Sequence, residues 1–324
     1  MVALWTDIVN PAELTAFSRV ALEAMDDSLL TRILPNVLQD DVKFSWKVGE
    51  AVGGEAEYGE FDTEAPIGDT GGAEEKTIRL LPVSRKLLLS EYEQVTEPAR
   101  VSQLAEDRAD ALVKQIINRL NRARAMALVT GLLTLNENGV KQVANFGRVA
   151  AHTNAAPTAL FSATDADPIA DIRRFADMVS DAVGAEVDTI AGSTRIATAI
   201  GGKLAAAGYV TGGGSVVSRG VIDQILADHG LPSLTVYDGR AGGTRFIADD
   251  QLIVAVGGGF AGGTVFAPTV ESGDPRFNLG SGERSGIVAG LYKGDDPPIG
   301  WVLAKAIALP ILANPDATLS STVL

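Results

Sequence analysis

The feature that most constrains this fold is an acidic, glycine-rich segment between two stretches of alternating polar and apolar residues. Residues 42–48 and 76–80 alternate with period two, which predicts β-strands. Between them, residues 49–75 hold many Asp, Glu and Gly residues but no Lys or Arg. Such a segment buries too little apolar surface to pack alone. The pattern therefore predicts a long hairpin whose tip is either a surface loop or an arm that orders against a neighbouring subunit.

The longest predicted helix follows the hairpin. Thr96, Glu97 and Pro98 are expected to begin it, and it is expected to end near Leu133. Its apolar side chains recur at helical spacing on one face, and about 30 residues at 1.5 Å each make a spine roughly 45 Å long. Three arginines in the C-terminal part of the helix are interpreted as solvent-exposed side chains that interact favourably with the helix dipole; they are Arg119, Arg122 and Arg124.

Shorter elements make the rest of the chain a mixed α+β protein. Asn10 and Pro11 predict a helix to about Met25, with a second helical turn over residues 29–37. Asn138-Gly139 predicts a hairpin. Further helices are expected over 165–183, 193–207 and 218–228, around a loop tip at 212–214, and short strands over 187–191 and 234–237. Residues 252–256 and 264–267 are predicted to pair, and residues 301–312 to form a buried strand broken at Pro310 with a polar tail after it.

The composition limits which covalent links, metal sites and functions the chain can have. The 324 residues carry a net charge of −14 and no cysteine, so disulfides and thiolate metal sites are excluded. The excess of acidic residues argues against a nucleic-acid-binding protein that contacts phosphates over its whole surface. We expect no signal peptide and no membrane span, and synthesis in a cytoplasm.

Catalytic motifs are weak. Gly257–Gly262 matches the glycine pattern of a dinucleotide fingerprint, but strand-like residues follow where a helix is required, so a glycine-rich hairpin is the preferred interpretation. His152 and His229 lack an evident nucleophile or orienting partner. We therefore predict no catalytic residue, cofactor or metal, and no enzyme.

Two stretches carry a family resemblance. The hairpin return contains Ala65-Pro66-Ile67-Gly68 and then the residues from Lys76 to Arg85. The C-terminal stretch contains Asp296-Pro297-Pro298, then the residues from Ala308 to Leu312, then Pro315-Asp316-Ala317. With the order of arm, hairpin, spine helix, mixed insert and terminal strand, the chain resembles the major capsid proteins of tailed phages, which have the Hong Kong 97-type fold, and in particular their lambda-type branch.

The resemblance implies a domain division. It gives an N-terminal arm over 1–41 and an extended β-hairpin loop over 42–96. A peripheral domain with the spine helix would cover 97–184 and 285–324, and an axial domain 185–284. The implied role is a structural subunit that forms pentamers and hexamers around double-stranded DNA, without sequence-specific binding. It would be made in the host cytoplasm and end in the virion.

The implied partners are further copies of the chain, a scaffolding protein and a portal, with a decoration protein left open. The acidic tip would need a basic surface on a neighbour. The expected inter-subunit contacts are Glu55, Glu57, Glu60, Asp62, Glu64, Asp69, Arg79, Arg85, Lys86, Arg119, Arg122 and Arg124. Crosslinking through a lysine at the loop tip is not expected, because the tip contains none.

Two alternatives stay open at the level of sequence. An encapsulin-type nanocompartment shell would share the fold but enclose a cargo enzyme. A glycine-rich α/β enzyme would bind a nucleotide at Gly257–Gly262.

Overall fold

The computed structural model describes residues 3–48, 74–208, 217–294 and 299–324. The helices are α1 Pro11–Met25, α2 Leu29–Ile33, α3 Glu91–Thr96, α4 Val101–Thr130, α5 Pro168–Val183, α6 Thr194–Ala206 and α7 Arg219–Asp228. The strands are β1 Ala3–Leu4, β2 Asn36–Leu38, β3 Lys43–Val48, β4 Glu74–Arg79, β5 Pro82–Leu89, β6 Leu132–Glu137, β7 Val140–Asn145, β8 Thr189–Gly192, β9 Leu234–Val236, β10 Arg240–Ala241, β11 Thr244–Arg245, β12 Gln251–Ala255, β13 Gly263–Ala267, β14 Val288–Lys293, β15 Gly300–Ile311 and β16 Thr318–Thr322.

The larger sheet is built around β15. Its order is β1-β14-β15-β13-β2, and β5 pairs with the opposite edge of β15. Side chains of β15 alternate between buried and partly buried over residues 300–307, so one face points into a core. That core is formed with α1 and α4, and includes Leu14, Leu112 and Val302.

The second sheet has the order β16-β12-β8-β9. It lies in a separate apolar cluster with helices α5, α6 and α7, represented by Phe175, Ile200 and Leu226. The expected strands at 187–191 and 234–237 are thereby confirmed as β8 and β9, shifted by one or two residues. The expected loop tip at 212–214 lies outside the described residues.

The predicted pairing of residues 252–256 with 264–267 is wrong. Strand β12 pairs with β16 and β8, whereas β13 pairs with β15 and β2. Gly257–Gly262 therefore carries the chain from one sheet to the other and is no hairpin. Gly258, Gly259 and Gly262 have φ of 64°, 87° and 147°, which glycine adopts without strain but which a hairpin turn would also allow. The crossing between sheets is therefore decided by the distant strand partners, β16 and β8 for β12 and β15 and β2 for β13.

The interruption predicted at Pro310 is also wrong, because β15 continues through it to Ile311. The Ala308 N–H donates to the carbonyl of Leu81 at 3.2 Å, so it points to the edge of β15 that pairs with β5. The nitrogen of Pro310, two residues further along the strand, points to the same edge, where β5 has already ended. Thr264, opposite Pro310, donates instead to Pro35. No ladder hydrogen bond needs the missing N–H, so proline is tolerated.

The polar tail is a buried strand. Strand β16 pairs with β12 along five residues, and Thr318, Ser320 and Ser321 are all buried. Their hydroxyls donate to backbone carbonyls, Ser320 to Val129 at 2.7 Å and Ser321 to Ala155 at 2.6 Å. Polar composition therefore misled the prediction, because these hydroxyls are satisfied inside the protein. Strands β16 and β13 each pair across the expected boundary at 284, and the domain division stays a prediction.

Prolines explain two misplaced helix boundaries. Helix α4 begins at Val101, not at residue 96, because Pro98 follows Glu97, whose φ and ψ of −131° and 55° are not helical. Helix α2 ends at Ile33, before Pro35, and β2 replaces the helix expected to residue 37. A residue that precedes proline is pushed out of the α region. At its other end α4 ends at Thr130, three residues before the predicted end, because the next residue, Gly131, has a left-handed φ of 66°.

The other two predicted hairpins are confirmed. Strands β3 and β4 pair from Lys43–Arg79 to Val48–Glu74. Strands β6 and β7 are joined by Asn138 and Gly139, with φ of 48° and 81°, as a two-residue primed turn requires. The helix expected after Asn10 is confirmed as α1, and the Asn10 side chain accepts a hydrogen bond from Ala12 N–H.

Candidate assembly surface

The base of the long hairpin is fastened to the body of the protein. Trp46 is 8% exposed, and its ring centroid lies 5.9 Å from that of Phe146, which follows β7. The Gln142 side chain donates to the carbonyl of Arg79 at 3.2 Å. These contacts hold β3 and β4 in place from the β6–β7 hairpin. The predicted acidic contact residues lie outside the described residues; they are Glu55, Glu57, Glu60, Asp62, Glu64 and Asp69.

A groove lies beside this base, between β5, α4, the β6–β7 turn and the end of β15. It has a volume of about 390 Å³, apolar walls that include Leu81 and Ile116, and a rim that includes Arg85 and Arg119. The Arg119 guanidinium donates to Glu137 at 2.9 Å through Nε. Among the described residues Arg85 has no carboxylate partner. The structure thus brings two of the predicted basic contact residues into one groove.

The other predicted bases point elsewhere. Lys86 follows Arg85 in a strand and therefore lies on the opposite face of the sheet, where its Nζ is 4.4 Å from the ring centroid of Trp301. The Arg122 guanidinium lies 5.8 Å from the ring of Phe246, and Arg79 is exposed at the hairpin base. The predicted bases do not share one surface.

Arg124 was expected in solvent, and that expectation is wrong. Its side chain is fully buried, and its guanidinium donates to both oxygens of Asp26, at 2.8 and 2.9 Å. Asn121, Asn36 and Thr264 accept its remaining N–H groups at 2.8, 2.6 and 2.7 Å. A buried guanidinium satisfied within its own chain has no surface to offer a neighbouring subunit.

A sequence signal for this ion pair existed. Arg124 lies four residues after Leu120 and three before Ala127, both buried on the apolar stripe of α4, so its burial follows from helical spacing. A buried arginine needs a carboxylate, but nothing in the sequence selects Asp26 from the many acids.

Arg148 is a second arginine that sequence reasoning missed. It donates to the last carbonyls of α4, to Leu128 at 2.6 Å and Val129 at 2.7 Å. These carbonyls have no partner within their own helix. Burial lowers the pKa of the Arg148 guanidinium to about 10, opposed by nearby Asp316. The side chain therefore ties the end of the spine helix to the chain after β7.

His152, His229 and Gly257–Gly262 are the features that the sequence offered for chemistry. His152 is buried with Nδ1 3.1 Å from the carbonyl of Asp316, and His229 lies at the end of α7. Strand β13, not a helix, follows Gly257–Gly262. Over the described ranges, no cluster of three His, Cys, Asp or Glu side chains is placed to hold a metal ion. Over the same ranges no helix is long and apolar enough to cross a bilayer.

Solved structures share this fold over nearly the whole chain. A crystal structure described as the capsid protein of an Escherichia coli CFT073 prophage aligns with a TM-score of 0.66 at 16% identity, covering 98% of this chain and 99% of that one. A phage-related protein from Bordetella bronchiseptica RB50 aligns with a TM-score of 0.56 at 11% sequence identity, and the alignment covers 95% of each chain. A protein of Microbacterium phage Oxtober96 aligns with a TM-score of 0.54 at 13% sequence identity, covering 91% of this chain and 90% of that one. The expected mixed helix-and-sheet capsid fold of the Hong Kong 97 type is confirmed.

Sequence comparison gives the family. No curated protein matches the chain. The family described as phage major capsid protein E matches residues 76–323, which is most of the sequence and includes all of the second sheet and the central strands of the larger one. The chain therefore belongs to the phage major capsid protein E family, and it is a self-assembling shell protein of the virion.

Proposed function

We propose that this chain assembles into pentamers and hexamers, which close an icosahedral head around double-stranded DNA without reading its sequence. The family match over residues 76–323 carries this proposal. The net charge of −14 supports enclosure of DNA without tight phosphate binding. A scaffolding protein and a portal are the proposed partners, and synthesis takes place in the host cytoplasm.

The groove beside the hairpin base is proposed to receive the acidic segment 49–75 of a neighbouring copy. Arg85 on its rim lacks a carboxylate partner in the described part of the chain, whereas the nearby guanidinium of Arg119 is paired with Glu137 of the same groove. Arg85 is therefore the main cation for an incoming carboxylate. Segment 49–75 carries acids and no base. Opposite charges facing each other across a contact select the correct partner and register.

Deletion of residues 53–72 tests this role. The subunit should still fold, because Trp46 and Phe146 hold the hairpin base from outside the deleted part. Circular dichroism should be unchanged, whereas electron micrographs should show no regular shells. An unfolded deletion variant would contradict the assignment of this segment to assembly. A wild-type chain that stays monomeric at high concentration, with scaffolding protein supplied, would contradict the shell function itself.

We also propose that the chain is not an enzyme. The family is one of structural shell proteins, and Gly257–Gly262 links two sheets. Titration calorimetry with millimolar ATP and NAD should detect no binding. Binding that disappears in Gly259→Ala, with shells still formed, would overturn this proposal.

A further inference from the structure

Two neighbouring surfaces, one at the end of β5 and one on α3, expose more apolar side chains than a free subunit requires. Tyr92 is 77% exposed, Val95 is 74% exposed and Leu88 is 39% exposed, all within eight residues. Single exposed apolar residues are ordinary, but exposed apolar residues grouped with aromatic ones mark interaction sites. The grouping therefore needs a partner.

The exposed side of α3 is fixed by what its other side contacts. Glu93 binds Arg108 of α4, and the Gln94 side chain donates to the carbonyl of Leu89 at 3.1 Å. These two residues turn towards the protein, so Glu91, Tyr92 and Val95 share the outward side. We call these three residues the helix face.

A second face lies on the adjoining sheet, on the side away from α4. Lys86 and Leu88 alternate onto it from β5, and Trp301 lies opposite Leu88 in β15. The Lys86 ammonium sits over the Trp301 ring at 4.4 Å. We call Lys86, Leu88 and Trp301 the strand face.

The charges of the two faces are complementary. Within the described residues Lys86 contacts no carboxylate, and Glu91 contacts no base, whereas Glu93 and Glu97 are paired with Arg108 and Arg100. One face thus offers apolar groups beside a free cation, and the other offers apolar groups beside a free carboxylate. Two different complementary faces on one chain fit a head-to-tail contact, which closes around a rotation axis.

We propose that the helix face of one copy docks on the strand face of a second copy, with Glu91 against Lys86 and with Tyr92 and Val95 against Leu88 and Trp301. This contact rests on the proposed shell function. It is separate from the groove at Arg85, because Arg85 and Lys86 project from opposite faces of β5.

Charge exchange in the full-length chain tests the pairing. Lys86→Glu and Glu91→Lys should each raise the concentration at which shells form by about tenfold, as loss of roughly 1.4 kcal/mol per contact predicts. The double variant K86E/E91K should return to within about threefold of wild type, since the pair is restored in reverse. Both residues are exposed, so circular dichroism of the free subunit should show the wild-type fold in all three variants.

An apolar variant and a matched control keep the test independent of charge. Tyr92→Asp should block shells, whereas Val270→Asp, at a residue 85% exposed outside both faces, should not. Because the chain has no cysteine, shells mixed from K86C and E91C subunits should form disulfide-linked dimers on oxidation. Mixtures of K86C and V270C should not.

The outcomes separate the two claims. Wild-type shells together with unaffected single variants, an unrescued double variant, or no K86C–E91C dimer would overturn this contact and leave the shell function standing. An effect that appears only when another capsid-associated protein is added would also overturn it, because the partner would then not be a second copy. A wild-type chain that forms no shell contradicts the shell function, and this contact with it.

Discussion

Arg124 and Asp26 form a two-bonded ion pair, although 98 residues separate them in the sequence. Both side chains are buried, at 0% and 1% exposure. The pair joins the spine helix α4 to the segment between α1 and α2. Arg124 also donates to Asn36 of β2 and to Thr264 of β13, which are paired residues of the two strands, so the same side chain fixes where β2 meets β13.

Asp26→Ala should lower the free energy of unfolding by about 3–5 kcal/mol, because it leaves a buried guanidinium without its carboxylate. Chemical denaturation of the free subunit measures this. Asp27→Ala is the matched control: its ion pair with Arg32 is 71% and 70% exposed, so a change within about 0.5 kcal/mol is expected. Equal effects of the two substitutions would contradict the importance of burial.

Arg148→Met should destabilise the subunit by about 2–3 kcal/mol, because two carbonyls at the end of α4 lose a charged donor. Hydrogen exchange should increase first in the last turn of α4 and in β16, whose Ser320 hydroxyl is 3.4 Å from Arg148. Arg276→Met, which breaks an exposed pair with Asp274, serves as control. Faster exchange spread evenly over the protein would argue against a local cap.

Gly262→Ala should destabilise the subunit by about 3 kcal/mol or more, through backbone strain and collision. Gly262 has φ of 147°, and an added Cβ would collide with the Ile311 carbonyl and lie 2.9 Å from the Ala313 nitrogen. Gly282→Ala meets no atom within 4 Å, and its thermal midpoint should not move. If Gly262→Ala melted like wild type, the glycine would have another role than close packing of the two sheets.

Asp238 should titrate below the ordinary range. The hydrogen bond from the Thr194 hydroxyl, and next the one from Arg245, lower the pKa of Asp238 from 3.8. A lowered folded-state pKa gives stability that is present above the ordinary pKa and is lost as pH falls through the lowered one. Thr194→Val should raise the pKa towards 3.8, as read by carboxyl NMR titration.

Two variants control the titration. Thr198→Val removes a hydroxyl that donates to the carbonyl of Thr194 and, among the described residues, does not contact Asp238, so it should leave the pKa of Asp238 unchanged. Thr194→Ser keeps the hydroxyl and should restore the low value. An unchanged pKa in Thr194→Val would contradict the hydrogen bond as the main cause.

Local patterns predicted most elements of the fold. The alternation in residues 42–48 and 76–80, the Asn138-Gly139 turn and the cap at Asn10 all act over a few residues, so the sequence reports them directly. The same locality makes Pro35 and Pro98 decisive for helix ends, because a proline acts on the residue before it. For the assembly surface, the groove position of Arg85 and Arg119 was anticipated only as exposed positive charge.

The sequence by itself determined the hairpin with its acidic segment, the long helix and the membership of a capsid family, because periodicity, turn residues and charge are properties of neighbouring residues. Only the tertiary structure decided that β12 and β13 belong to different sheets, that the serine-rich β16 is buried, and that Arg124 meets Asp26. Each depends on a partner far along the chain: β16 pairs with β12 and β15 with β13, backbone carbonyls of Val129 and Ala155 accept hydroxyls of β16, and the carboxylate of Asp26 binds Arg124. Packing selects these partners, and the sequence alone does not identify them because it contains many residues of the same type.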